Sequence, residues 1–143
     1  MSERAAVAWH ESGHAIAGEL HDLPTRSVSI APNAHSGGRS LLSTTTGHLP
    51  TWRVAAWVLC GPAAERLYRG GAERYGGDDV AFLRALLATK GAHAADSERQ
   101  YAALADAEVL LHRSWIGIVA EALLVRETLT AHEVRTLRPR EDR

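Results

Sequence analysis

Between Ser2 and Leu20 the apolar residues Ala5, Ala6, Trp9, Ile16, Ala17 and Leu20 recur at helical spacing, which predicts a first helix. Ser2 can cap its start and Pro24 stops any continuation. The period then shortens. Val28 and Ile30 alternate with polar neighbours from Arg26 to Ile30, Gly37 and Gly38 follow, and Arg39 to Ser43 is a second extended run. A small hairpin or a sheet of two or three strands is the expectation.

A second helix should start near Pro50 or Thr51, with Val54, Trp57, Val58, Ala64 and Leu67 on its apolar side. Pro62 lacks an amide hydrogen and crowds the carbonyl four residues back, so a kink or restart is expected at Gly61-Pro62. Two glycine pairs, Gly70-Gly71 and Gly76-Gly77, precede Asp78-Asp79 and a helix marked by Val80, Leu83, Leu86 and Leu87. In that reading Asp78 is the N-cap and Asp79 the first helical residue, so their side chains point apart. The longest signal begins at Ser97, where SERQ has the form of a capping box. Leu104, Leu111, Trp115, Ile118, Ala122 and Val125 then mark one packing face. Thr130 to Glu133 forms a second capping box, with Leu129 and Val134 placed to staple it. The fold class predicted is mainly α with a small β element, in one domain over residues 1–143, of which 136–143 read as a solvated flexible tail.

Composition narrows the function. Sixteen basic and seventeen acidic residues leave a formal net charge of -1, with no cluster that would attract nucleic acid or an anionic membrane. No apolar run approaches the roughly 20 residues of a spanning helix, and MSER does not open a signal peptide. A single cysteine, Cys60, flanked by Val58 and Leu59, reads as a buried thiol. These features lead to the expectation of a cytoplasmic protein with no nucleic-acid and no membrane partner. Trp52, Trp57 and Trp115 are expected in the core.

Chemistry concentrates in WHESGH. His10 and His14 lie four apart on a helix, so their imidazoles leave one face a turn apart and can share a metal ion. Glu11 sits roughly 100° further round, near enough to take a proton from water without ligating the metal. The plainer alternative is a pair of core histidines, but burying imidazoles without partners is costly. Zinc needs a third protein ligand if one position is kept for water. By residue type Glu65, Asp78, Asp79, His35 and His48 all qualify. For Asp78 and Asp79 a competing reading is helix-start electrostatics, and His35 and His48 read as solvent-facing loop residues.

Four blocks resemble the peptidase domain of FtsH-type membrane-bound AAA proteases, in that family's order and over residues 7 to 137. AWHESGHAIAGEL is similar to its HEAGHA helix and CGPAAERLYRGG to its GGRAAEE segment. GGDDVAFLRALL is similar to its S-N-D-L stretch and ALLVRETLTAHEVRTL to its terminal segment. The resemblance implies an FtsH-peptidase-like helical zinc metallopeptidase fold. It also implies that Asp79 is the third ligand, with Asp78 where the family has Asn. Glu65 is then left to orient a ligand histidine or to serve as an alternative ligand. The chain departs from the family in having no G-x-x-x-x-G-K-[ST] motif and no spanning segment, and Pro62 stands where the family has Arg.

The expected activity is therefore ATP-independent, zinc-dependent peptide hydrolysis with Glu11 as general base, acting on a peptide or unfolded protein. A separate ATPase or regulator is a possible partner, and the sequence leaves the oligomeric state open. Substrate is expected to lie extended along Arg39, Ser40, Leu41, Leu42 and Ser43. The alternatives are a catalytically idle zinc domain serving as adaptor or scaffold, and a metal-free structural domain.

Overall fold

In the computed structural model, which describes residues 2–23, 25–32, 39–42, 49–71, 77–89 and 94–143, two long helices form the centre. The first, α1 (Glu3–Leu20), is capped as expected, the Ser2 hydroxyl accepting from the Ala5 amide. The second, α2 (Thr51–Tyr68), lies against it. Gly13 makes that approach possible, since a Cβ there would stand 2.2 Å from the Cys60 carbonyl oxygen. Around this pair are α3 (Asp78–Ala88), α4 (Ala94–Leu111), α5 (Arg113–Arg126) and α6 (Ala131–Thr136). α4 packs on α2, and α5 packs on α1.

The strands β1 (Thr25–Ser29), β2 (Arg39–Leu42) and β3 (Thr128–Thr130) form an antiparallel sheet in the order β2-β1-β3. Val28 pairs with Ser40 on one side and with Leu129 on the other. Val28 and Leu129 are buried, which ties the sheet to the helical core. β2 is an edge. Thr130 ends β3 and caps α6 through the capping box with Glu133 read from the sequence, and Leu129 and Val134 are both buried beside it. Among the described residues no helix is long and apolar enough to cross a membrane.

Several expectations are corrected. Of the kink or restart expected at Gly61-Pro62, the restart does not occur: α2 continues as helix through both residues, whose burial in the packed interior outweighs one missing backbone hydrogen bond. The N-cap of α3 is Gly77, at φ 86°, so Asp78 and Asp79 both belong to the first turn. α4 begins at Ala94, which puts Ser97 inside the helix, and the long helix divides at His112. Its buried positions are Ala105, Val109, Trp115, Ile116, Val119, Ala120 and Leu123, whereas Leu104, Leu111, Ile118 and Val125 face solvent. The helical period holds, and of the expected face Trp115 is buried and Ala122 packs on the core, while the other four positions are turned to water. Trp115 is core and Trp57 partly buried, but Trp52 is 51% exposed. Cys60 is buried as expected. The terminal segment folds back in a short 3₁₀ turn, Arg140–Asp142. The Asp142 carboxylate accepts from His112 Nδ1 and Arg138 Nε, and the Arg138 guanidinium lies 4.7 Å from the Trp115 ring centre. Gly37, Gly38, Gly76, Pro24, Ser43, His35 and His48 lie outside the described residues.

Candidate metal centre

The i, i+4 spacing in α1 brings His10 and His14 to the α2 side with ring centres 4.8 Å apart. His10 Nε2 and His14 Nε2 are 3.1 Å apart, and Asp79 Oδ2, from the first turn of α3, lies 2.8 Å from the former and 3.2 Å from the latter. Among the described residues this trio is the one group of His, Cys, Asp or Glu whose ligand atoms converge closely enough for a metal ion. Asp78, beside it in sequence, points to solvent. Helical geometry separates the two carboxylates by about 100° even though neither is the cap.

Both far ring nitrogens are committed. His14 Nδ1 lies 2.7 Å from the Trp57 carbonyl, which can only accept, so Nδ1 carries the proton and Nε2 presents a lone pair. His10 Nδ1 lies 2.8 Å from Glu65 Oε2 and donates to it. The other Glu65 oxygen accepts from Arg69 Nε at 3.0 Å, and Arg69 also bonds Glu3. With neutral rings, two nitrogen lone pairs and a carboxylate oxygen face one another at contact distance, an arrangement that repels unless a cation stands among them. The residues therefore fit a metal. Tetrahedral zinc with bonds of 2.0 to 2.2 Å holds its ligand atoms roughly 3.3 Å apart, close to the spacing seen.

Electrostatics carry the same message. Burial lowers the pKa of His10, but hydrogen bonds to Asp79 and Glu65 and the charge of Glu11 outweigh it and raise the pKa to about 10. Burial also opposes charge on Asp79, yet a hydrogen bond from protonated His10 holds its carboxyl well below the usual range. The hydrogen bond from His10 lowers Glu65 too, with Arg69 helping. Without metal, a proton on His10 supplies the positive charge that the site requires.

Glu11 is buried beside the trio, 7% exposed, and its charge acts on His10. Glu65 lies behind His10, hydrogen-bonded to its Nδ1 and outside the converging trio, to which α3 supplies Asp79. Sequence reasoning missed three contributors: the Trp57 carbonyl and indole, the ring lying 5.1 Å from that of His14; Gly61, whose hydrogen faces His14; and Arg69. Arg69, the C-cap of α2, stands four residues after Glu65, a pairing that spacing alone could have suggested. Of the expected substrate strand, Arg39 to Leu42 form β2. Compared with known proteins, the chain matches no family model and no curated sequence.

Proposed function

We propose that the chain is a zinc-dependent metallopeptidase that uses Glu11 as its general base and needs no ATP. One observation carries the reading: two imidazole lone pairs and the Asp79 carboxylate converge within 3.2 Å, each imidazole held from behind, with a buried carboxylate next to them on α1. The likeness of the four sequence blocks to the FtsH-type peptidase domain supports the same reading.

A zinc ion bound by His10, His14 and Asp79 would lower the pKa of water from about 15.7 to roughly 7 and polarise the scissile carbonyl. Glu65 and the Trp57 carbonyl fix which nitrogen of each ring faces inward. Asp79 brings one negative charge to balance a divalent ion. Glu11 accepts the proton of the attacking water and returns it to the departing amine, and its burial keeps that proton from bulk solvent. β2, at the sheet edge, offers main-chain hydrogen bonds to an extended peptide, which favours loose sequence specificity.

Glu11→Gln is the test. Gln keeps the shape of Glu but is too weak a base, and a positioned base contributes about 10²- to 10⁴-fold in rate. Zinc content should stay at the parent level while cleavage of an unstructured peptide, without ATP, falls by that factor. Equal rates in both proteins would remove Glu11 from the mechanism. Failure of both to cleave, with one zinc each, would favour the adaptor or scaffold role.

A further inference from the structure

The rotated face of α4 and α5 leaves a line of aliphatic side chains in water. Leu104, Leu111, Ile118 and Val125 stand seven residues apart and are 65%, 75%, 37% and 83% exposed, with Leu110, 60% exposed, beside them. Ala107 and Ser114, both exposed, lie between them in the line and keep its floor low. The helix break does not interrupt it. The His112 amide donates to the Glu108 carbonyl and the His112 carbonyl accepts from the Ile116 amide, both at 3.0 Å, so α5 takes over where α4 ends. None of the residues around the metal centre belongs to this stripe.

A seven-residue apolar repeat on an exposed helical face is the pattern that a second helix reads, side chain into the gap between side chains. Five aliphatic residues at these exposures present on the order of 500 Å² of apolar surface, near the upper limit of what a monomer leaves uncovered. That area also matches what one partner contributes to a standard interface, about 800 Å² of which roughly 60% is apolar.

We propose that the α4–α5 stripe is a self-association surface, and that its occupant is the same stripe of a second copy of this chain, laid antiparallel across a two-fold axis. Antiparallel pairing sets Leu104 level with Val125 of the other copy and Leu111 level with Ile118, so the four residues of the repeat meet one another. A formal net charge of -1 puts little repulsion between copies. Small residues in the line let the helices approach closely.

Light scattering and sedimentation over micromolar to submillimolar concentrations should show the full chain passing from one chain mass to two. Leu111→Glu and Leu104→Glu should each weaken the dimer at least about tenfold, as loss of a well-packed interface residue does. Their circular dichroism and zinc content should match the parent, because these side chains already face water in the single chain. Phe82→Glu, at another exposed apolar residue on α3, should leave the dimer intact. Copies bearing Leu104→Cys should cross-link to copies bearing Val125→Cys through a short reagent, and neither should cross-link efficiently to itself. A parent that stays monomeric throughout overturns the proposal. So does a dimer that survives both Leu→Glu changes, and cross-linking of Leu104→Cys copies to each other overturns the antiparallel arrangement.

Discussion

Gly61→Ala should abolish tight zinc binding while leaving the fold in place. A Cβ at Gly61 would lie 2.3 Å from His14 Nε2, 2.5 Å from Cε1 and 2.7 Å from Cδ2, whereas carbon and nitrogen atoms settle at about 3.5 Å or more. The ring must therefore retreat by roughly 1 Å. It cannot do so freely, because Nδ1 is held at 2.7 Å by the Trp57 carbonyl and the Trp57 indole packs against it. Ligand atoms tolerate displacements of only about 0.2 Å, so the methyl group removes one of three ligands. Disturbing only the support of a ligand costs about 10- to 100-fold in affinity, so losing the ligand should cost at least 100-fold, about 2.7 kcal/mol. The metal-free fold loses one hydrogen bond and gains local overpacking, together about 2 to 4 kcal/mol at most. Gly13→Ala is the contrast. Its Cβ would meet the Cys60 backbone oxygen at 2.2 Å, so whole helices must separate and stability, not only metal affinity, should fall. Zinc competition against a chromophoric chelator and thermal unfolding of both metal-free variants measure the two effects. If Gly61→Ala keeps zinc affinity within about threefold while His14→Ala loses it, the ring is not held as argued and the reasoning fails.

Asp79→Ala should lose zinc, Glu65→Ala should weaken it about 10- to 100-fold and Asp78→Ala should leave it unchanged. Full affinity in Asp79→Ala with none in Glu65→Ala would exchange their roles. Because the raised pKa of His10, about 10, keeps it protonated at neutral pH without metal, zinc uptake should release close to one proton. Apparent affinity should then climb about tenfold per pH unit between pH 7 and 9, and calorimetry in two buffers of different ionisation enthalpy measures it. A pH-independent affinity would contradict this. The same raised pKa stabilises the metal-free fold fully below the unfolded value of about 6.5, and that contribution is lost as pH rises through about 10. Thermal midpoints of the metal-free protein should therefore decline over that window. Proline substitution along Arg39–Leu42 should reduce peptide cleavage at alternate positions, those whose amides face away from β1, with zinc content unchanged; uniform tolerance would remove β2 from substrate binding.

Short-range features were legible because helix and turn geometry is local. The caps at Ser2 and Thr130, the shared face of His10 and His14 and the offset of Glu11 all follow from positions within four residues of one another. What lies beyond one turn had to be decided by packing. Periodicity located an apolar stripe on the helices after Ala94, but two faces carry aliphatic residues. The buried one is the set that meets α1 and α2, Trp115, Ile116, Val119, Ala120 and Leu123 among them, so spacing alone placed Trp115 correctly but mixed it with exposed Leu104, Leu111, Ile118 and Val125. That α2 does not restart at Pro62 has a related reason: a local penalty is outweighed when the helix around it is enclosed. Asp79 stands 65 residues from His14, and at that separation no backbone geometry relates them. From the residues alone it was one of several candidates, and family resemblance singled it out. Gly13 and Gly61 complete the distinction: their freedom is visible in sequence, but their purpose depends on two helices crossing closely enough that a single methyl group would displace an imidazole. The chemistry of His10, His14 and Asp79 is inherent in residue type, whereas their convergence is set by the close packing of α1, α2 and α3, which no stretch of chain specifies by itself.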